Sequence, residues 1–214
     1  MMDIRTKEAV RYLGYGRHAI DEQTLGWIQD SFKELEQFAD VRFVYRIFEI
    51  IRQNEDELTI GNLKIQSKNL CKNLEGCKQV VVFGATLGTG VDLLMKRYSV
   101  SNMAKAVILQ ASATAVLEDH CDRIQEQIAH ELDEGLYLRP RFSPGYGDFS
   151  ILYQKDLLQM LNASKHIGLS MTEGYMLTPT KSITAVMGIS KDPLNCLKKG
   201  CEECTKEECI YRRS

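Results

Sequence analysis

Residues 104–132 read AKAVILQASATAVLEDHCDRIQEQIAHEL, a stretch without glycine or proline that predicts a long helix, the largest element of the fold. Ser101 or Asn102 precedes it as a candidate N-cap. At about 1.5 Å per residue this helix would be roughly 43 Å long. One of its faces is an apolar stripe typical of a core-facing surface, formed by Leu117, Cys121, Ile124, Ile128 and Leu132.

A second face of the same helix carries mainly small residues, namely Ala104, Ile108, Ala111 and Ala115. Glu118 follows this stripe at the next helical step. Because small side chains allow another body to approach a helix closely, we expect a neighbour against this stripe. The Glu118 carboxylate would then lie beside that neighbour.

The segments around this helix predict an α+β fold with a mixed or antiparallel sheet. We divide the chain into an N-terminal α/β portion (1–100), a portion built on the long helix (101–190) and a cysteine-rich tail (191–214). The apolar and β-branched patterns predict the remaining elements. These are helices at 21–38, 67–74, 91–97 and 154–161, and strands at 41–52, 58–63, 79–83, 174–177 and 183–189.

Composition limits the classes of partner and compartment. The 214 residues are 44% hydrophobic and 26% charged, with a net charge of −2, so no basic field is available to bind nucleic acid or an anionic membrane. The first residues are charged and do not resemble a signal peptide, and no apolar run is long enough to span a bilayer. With 7 cysteines, an odd number, we expect reduced thiols and a cytoplasmic protein.

Three glycines follow the strand predicted at 79–83 and precede a helix, namely Gly84, Gly88 and Gly90. Their spacing matches neither common phosphate-binding fingerprint, and no Gly-Lys-Ser/Thr sequence occurs. A tight strand-to-helix turn is therefore favoured over a nucleotide-phosphate site.

The most informative loop is Arg139-Pro-Arg141-Phe-Ser-Pro-Gly-Tyr-Gly147. Its two guanidinium groups suit a bidentate grip on a carboxylate or phosphate, and its prolines and glycines favour a rigid bend. The alternative is a surface turn whose arginines pair with helix acids. The residues alone leave both interpretations open.

The tail carries four cysteines in a C-x4-C-x2-C-x4-C pattern, Cys196, Cys201, Cys204 and Cys209. Four thiolates at this spacing can close around one zinc ion or an iron–sulfur cluster. The alternative is a disordered tail with incidental thiols. The other three cysteines, Cys71, Cys77 and Cys121, are assigned to the core.

Three segments resemble the reactivation domain of cobalamin-dependent methionine synthase. Arg141-Phe-Ser-Pro-Gly-Tyr146 is similar to its R-x-x-P-G-Y signature. Leu169-Ser-Met-Thr-Glu-Gly-Tyr-Met-Leu-Thr-Pro179 is similar to its L-T-E-S-[FY]-x-M-x-P segment, and Ser182-Ile-Thr-Ala185 to its S-V-S-G strand. The first hundred residues look more like shorter, free-standing relatives, and an aspartate that the family uses near its N-terminal end has no identified counterpart here.

This resemblance implies an activation-domain fold and S-adenosylmethionine binding within residues 101–190. By matching positions, Arg141 and Tyr146 correspond to ligand-binding residues of the family, and Glu118 corresponds to its helix glutamate. Arg141 can bind the carboxylate of the ligand, and Glu118 can meet one of its positive centres. The other predicted contacts are Pro144 and Gly145, together with backbone contacts from the segment 178–182, which includes Thr180 and Ser182.

The resemblance further implies a function in methionine biosynthesis, as a methyltransferase component. S-adenosylmethionine would be presented to inactive cob(II)alamin while a reductant such as flavodoxin or ferredoxin delivers an electron. The cobalamin would be carried by a separate methionine synthase subunit, so that this chain acts in trans. Two alternatives are a non-catalytic S-adenosylmethionine-binding assembly subunit and an iron–sulfur electron-transfer module for corrinoid proteins.

Overall fold

The structure, a computed structural model, describes residues 3–15 and 19–193. Its main sheet has six strands in the order β3-β2-β1-β4-β8-β5, and every neighbouring pair is antiparallel. A short hairpin of β6 and β7 lies outside this sheet. The strands are β1 (Arg42–Arg52), β2 (Glu57–Ile60), β3 (Leu63–Gln66), β4 (Gln79–Thr86), β5 (Tyr137–Leu138), β6 (Ser170–Met171), β7 (Leu177–Thr178) and β8 (Ser182–Ser190).

Helices cover both faces of the sheet. On one face, residues of α2, α4 and α5 pack against Val81 and Phe83 of β4, and on the other face α3, α6 and α7 pack against Val80 and Val82. Alternate side chains of β4 therefore point to opposite faces of the sheet and contribute to two separate hydrophobic cores. The helices are α1 (Ile4–Tyr12), α2 (Glu22–Phe38), α3 (Lys68–Asn73), α4 (Thr89–Ser101), α5 (Met103–Glu131), α6 (Gln154–Leu161) and α7 (Ala163–Ile167), with a 3-10 turn at Ile151–Tyr153.

The long helix is α5, as predicted. Asn102 caps it, since its side-chain oxygen accepts a hydrogen bond of 3.1 Å from the backbone N–H of Lys105. The apolar stripe is buried in the core, with Cys121 at 0% and Ile128 at 1% exposure. The fold class is confirmed as mixed helix and antiparallel sheet with a long helix at its centre.

The small-residue stripe of α5 is covered by the N-terminal helices. Ile108 and Ala115 form a separate buried cluster with Ala9 of α1 and Ile28 of α2. Ala104, at the start of α5, stays exposed. The neighbour of this stripe is therefore part of the same chain. The stripe ends at Glu118, which keeps partial exposure.

Three predicted strands have different bounds. The strand expected at 58–63 is instead a hairpin of β2 and β3, because Gly61 adopts a φ of +57° that reverses the chain. β4 continues past Gly84, where a Cβ atom would lie 3.1 Å from Leu161, so this glycine serves close helix packing rather than strand termination. The strand expected at 174–177 is wrong, since β7 begins only at Leu177.

The sheet draws strands from both sides of the predicted boundary at residue 100. β4, from the first portion, pairs along its whole length with β8 from the second. The division into portions stays a prediction. Within the described residues, no helix combines the length and the apolar character that crossing a bilayer requires.

Candidate functional site

The arginine loop, residues 139–149, is tied to β8 through its backbone. The N–H of Arg139 donates to Gly188 O at 2.8 Å, and Phe142 and Val186 exchange two backbone hydrogen bonds of 2.9 Å. Phe142 packs into the core that contains α6. Because successive side chains of an extended segment point to opposite sides, Arg141 faces the other layer and reaches α5.

The turn at the end of this loop depends on its proline and glycine. Pro144 is buried, and Gly145 has a φ of +94°, a conformation that favours glycine. The N–H of Gly145 donates to Phe149 O at 2.7 Å and closes the bend. Pro144 and Gly145 therefore shape the loop, and their predicted contact with a ligand stays a prediction.

Arg141 is held by three acceptors on one face of α5. Its Nη2 lies 2.9 Å from Glu118 Oε2 and 2.6 Å from Asp122 Oδ1, and its Nη1 lies 2.9 Å from Gln125 Oε1. Only 13% of the arginine side chain is exposed. These three acceptors, together with Thr114 one turn before Glu118, form what we call the polar face of α5.

The charge of Arg141 is stabilised by these carboxylates. Burial alone lowers the pKa of Arg141, but the hydrogen bond and charge of Asp122, with the charge of Glu118, outweigh it and raise the pKa. Nearby Cys121 is fully buried, and burial raises its pKa to about 12. The thiol is therefore neutral at physiological pH, and the guanidinium is the fixed charge of the site.

Two tyrosines from different elements feel the negative charge of Glu118. Burial and the negative charge of Glu118 raise the pKa of Tyr146, which packs edge-on against Phe142 with ring centroids 6.1 Å apart. Burial and then the Glu118 charge also raise the pKa of Tyr12, at the end of α1. The charge of Glu118 therefore acts on both tyrosines, although Tyr146 remains 56% exposed.

The segment 178–182 is anchored by hydrogen bonds to α4 and β4. The N–H and the hydroxyl of Thr180 both donate to the Asp92 carboxylate, with the N–H 2.9 Å from Oδ2. The Ser182 hydroxyl hydrogen-bonds to Thr86 Oγ1 at 2.8 Å. These contacts anchor the segment and leave the predicted ligand contacts of Thr180 and Ser182 untested.

Lys181 brings this segment to the polar face of α5. Its Nζ donates to Thr114 Oγ1 at 2.8 Å, one helical turn before Glu118. Burial lowers the pKa of Lys181, and the charge of Asp92 offsets this in part. A second cation therefore borders the same helix face as Arg141.

The glycine-rich turn has a packing explanation. A Cβ atom on Gly90 would lie 2.3 Å from the carbonyl oxygen of Phe38, and Gly88 has a φ of +81° as the N-cap of α4. These glycines allow α4 to start against the end of α2, as a tight strand-to-helix turn requires. Two clefts of 240 and 410 Å³ lie beside α6, and none of the predicted site residues lines them.

The predicted metal ligands of the tail, Cys196, Cys201, Cys204 and Cys209, lie outside the described residues. Among residues 3–15 and 19–193, no group of three or more His, Cys, Asp or Glu side chains is placed to hold a metal ion.

Sequence reasoning missed four residues around the site: Tyr12, Asp122, Gln125 and Lys181. Asp122 and Gln125 follow Glu118 at helical spacings of four and seven, so the helix period could have revealed them. Tyr12 could not be found in this way, because only the packing of α1 on α5 brings it to this part of the long helix. Lys181 lies within the quoted segment but was not selected.

The fold matches a solved structure of the MetH reactivation domain bound to AdoHcy. The TM-score is 0.61 at 16% sequence identity, and the match covers 87% of this chain and 77% of that chain. This chain therefore has the fold of the MetH reactivation domain. No protein-family model matches the sequence, and no curated protein matches it.

Proposed function

We propose that this protein binds S-adenosylmethionine and supports the reductive methylation of cob(II)alamin in a cobalamin-dependent methionine synthase. The chain would act in trans, as a separate subunit of a methyltransferase system. Its partners would be the cobalamin-carrying subunit and a reductant such as flavodoxin or ferredoxin.

The observation that carries the proposal is the Arg141–Glu118 pair on α5, at 2.9 Å. The amino-acid end of S-adenosylmethionine has a carboxylate and an ammonium group. Arg141 suits the carboxylate, since a guanidinium can bind it through two parallel hydrogen bonds, and Glu118 suits the ammonium. Both side chains are largely withdrawn from water, with 13% and 25% exposed, so these contacts would be screened weakly.

The fold supports the same ligand class. The reactivation domain with this fold was solved with AdoHcy bound, and AdoHcy differs from S-adenosylmethionine by one methyl group on sulfur. Tyr12 and Tyr146, which both feel the charge of Glu118, would offer aromatic surfaces for the rest of such a ligand.

The residues of this chain would bind and orient the methyl donor rather than exchange protons with it. The sulfonium is already activated, because its methyl group leaves a neutral thioether behind. Cobalamin on the partner subunit would supply the nucleophilic cobalt that accepts the methyl group, once one electron from the reductant has converted cob(II)alamin to cob(I)alamin. Arg141 and Glu118 would fix the amino-acid end, so that the methyl group points in one direction and water is excluded.

Titration calorimetry with S-adenosylmethionine tests the binding step. We expect measurable binding, weakened about tenfold or more by Arg141→Ala, because a lost charge-assisted contact costs about 1.5–3 kcal/mol. Arg123→Ala is the matched control, since Arg123 lies on the same helix and pairs with Asp119 instead. Equal losses in the two variants, or none in either, would remove Arg141 from the site.

Transfer of a labelled methyl group tests the catalytic step. The protein is mixed with a cobalamin-loaded methionine synthase subunit, a low-potential reductant and methyl-labelled S-adenosylmethionine, and the label on cobalamin is counted. Label on cobalamin that depends on this chain and on Arg141 supports reactivation. Binding without any transfer supports the non-catalytic assembly subunit.

A further inference from the structure

The donors of Arg141 set a limit on how it can receive a ligand. Its Nη2 carries two hydrogens, and these are directed to Glu118 Oε2 and Asp122 Oδ1. A bidentate grip on a carboxylate uses Nη2 together with either Nη1 or Nε, so each such grip needs one Nη2 hydrogen. Arg141 must therefore release one of the two carboxylates before it can hold a ligand carboxylate in this way.

The two carboxylates differ in what release would cost. The side chain of Asp122 is 59% exposed, whereas that of Glu118 is 25% exposed. An exposed carboxylate regains its hydration when it leaves a partner, while a buried one left without a cation carries a desolvation penalty. The proposed function also assigns Glu118 to the ammonium group of the ligand.

We infer that Asp122 is an internal competitor for the ligand, occupying on Arg141 the place that the ligand's carboxylate takes. Asp122 holds the guanidinium while the site is empty and turns to solvent when the ligand binds. This inference rests on the proposed function, because it requires a ligand with a carboxylate at Arg141. It makes Asp122 a residue that sets affinity without contacting the ligand.

The competition has a measurable consequence. The apparent affinity is the intrinsic affinity multiplied by the fraction of molecules in which Arg141 is free of Asp122. Removing Asp122 raises this fraction, and the apparent affinity rises with it. For a partly exposed ion pair we expect Asp122→Asn to bind S-adenosylmethionine roughly threefold to tenfold more tightly. The gain should appear although the variant loses an ion pair, so its resistance to urea should stay equal or fall.

The test compares two variants with two ligands by titration calorimetry. Asp122→Asn and Asp122→Ala are measured with S-adenosylmethionine and with its decarboxylated analogue, which has nothing to place on Arg141. Glu126→Gln is the matched control, because Glu126 is an exposed carboxylate one turn further along α5. We expect both Asp122 variants to bind S-adenosylmethionine more tightly, with no gain for the analogue and none in the control.

Other outcomes overturn the inference in distinguishable ways. If the wild-type chain binds S-adenosylmethionine but both Asp122 variants bind it equally or more weakly, Asp122 positions Arg141 and does not compete. A gain that is equal for the decarboxylated analogue would assign the effect to net charge. If no variant and no wild-type chain binds either ligand, the proposed function fails, and the inference fails with it.

Discussion

The arginine loop and the segment 178–182 both reach α5, yet they differ in the groups whose hydrogen bonds hold them. Backbone hydrogen bonds to β8 fix the arginine loop on both sides of Arg141. Side-chain hydrogen bonds to Asp92 and Thr86 fix the second segment, together with one backbone hydrogen bond of 2.9 Å from the Leu87 N–H to Lys181 O. The first loop delivers Arg141 to two carboxylates, whereas the second delivers Lys181 to a neutral hydroxyl.

This difference separates residues that shape a loop from residues that carry the charge of the site. In the arginine loop, Pro144 and Gly145 shape the bend and one side chain, Arg141, carries the charge. In the second segment, the hydroxyls of Thr180 and Ser182 are already used as anchors. We therefore expect backbone changes to damage the first loop most, and side-chain changes to damage the second.

The largest expected effect is on the backbone of the arginine loop. Gly147 has a φ of +54°, and a Cβ atom there would lie 2.6 Å from Asn69 Oδ1, which accepts the N–H of Asp148 at 3.2 Å. Gly147→Ala should lower the free energy of unfolding by about 2–3 kcal/mol, from left-handed strain and the displaced Asn69 contact. Urea unfolding measures this loss.

Gly135→Ala is the control for that variant. Gly135 has a φ of +83° but nothing within 4 Å of the position of a Cβ atom, so only the conformational strain applies. A loss in Gly147→Ala no greater than in Gly135→Ala would show that the loop is not held by its contact with Asn69.

A smaller effect is expected at the side-chain anchor of the second segment. Asp92→Ala removes the acceptor of both Thr180 hydrogen bonds and should lower the free energy of unfolding by about 1–2 kcal/mol. Asp92→Asn keeps an acceptor and should lose less. An alanine variant as stable in urea as the wild type would mean that the segment has another anchor.

The smallest effect concerns Lys181 and depends on pH. Its folded-state pKa is lowered, mainly by burial, so the charged form is penalised in the folded protein. Below the folded-state pKa the penalty is fully present. As pH rises through that value toward the unfolded pKa of about 10.4, the unfolded chain binds more protons and wild-type stability rises.

Lys181→Met removes this titration. The stability of wild type relative to Lys181→Met should therefore increase as the pH is raised through the alkaline range, when both are unfolded in urea at several pH values. The exposed Lys165 provides the control variant Lys165→Met. If both variants show the same pH dependence of stability relative to wild type, the burial of Lys181 is not its cause.

Much of the fold could be predicted from local pattern. The helices expected at 21–38, 67–74 and 104–132 all form, and Asp21, Ser67 and Asn102 cap them, because each side-chain oxygen accepts a backbone N–H within the first helical turn. The errors fall where one residue type has two structural uses. Gly84 ends no strand, since it lies inside β4 beneath α6, whereas Gly61 does reverse the chain.

The candidate site could be predicted only in part. Arg141, Tyr146 and Glu118 were selected by motif and helix position, and the structure pairs Arg141 with Glu118. Asp122 shares the helix face of Glu118 and could have been selected by the same period. Thr180 and Ser182 were selected for backbone contacts with a ligand, which stay a prediction, while their hydroxyls hydrogen-bond to Asp92 and Thr86.

The sequence by itself determined the long helix, its buried stripe and the bend that carries Arg141, because caps, periodicity and turn residues act over a few neighbours. Only the tertiary structure decided which elements meet Glu118. Tyr12 reaches the cluster that contains Ala115, one turn before Glu118, because α1 packs on the small-residue stripe of α5. Arg141 arrives because β8 holds its loop opposite that helix. Such contacts join residues far apart in the chain, so no local pattern encodes them.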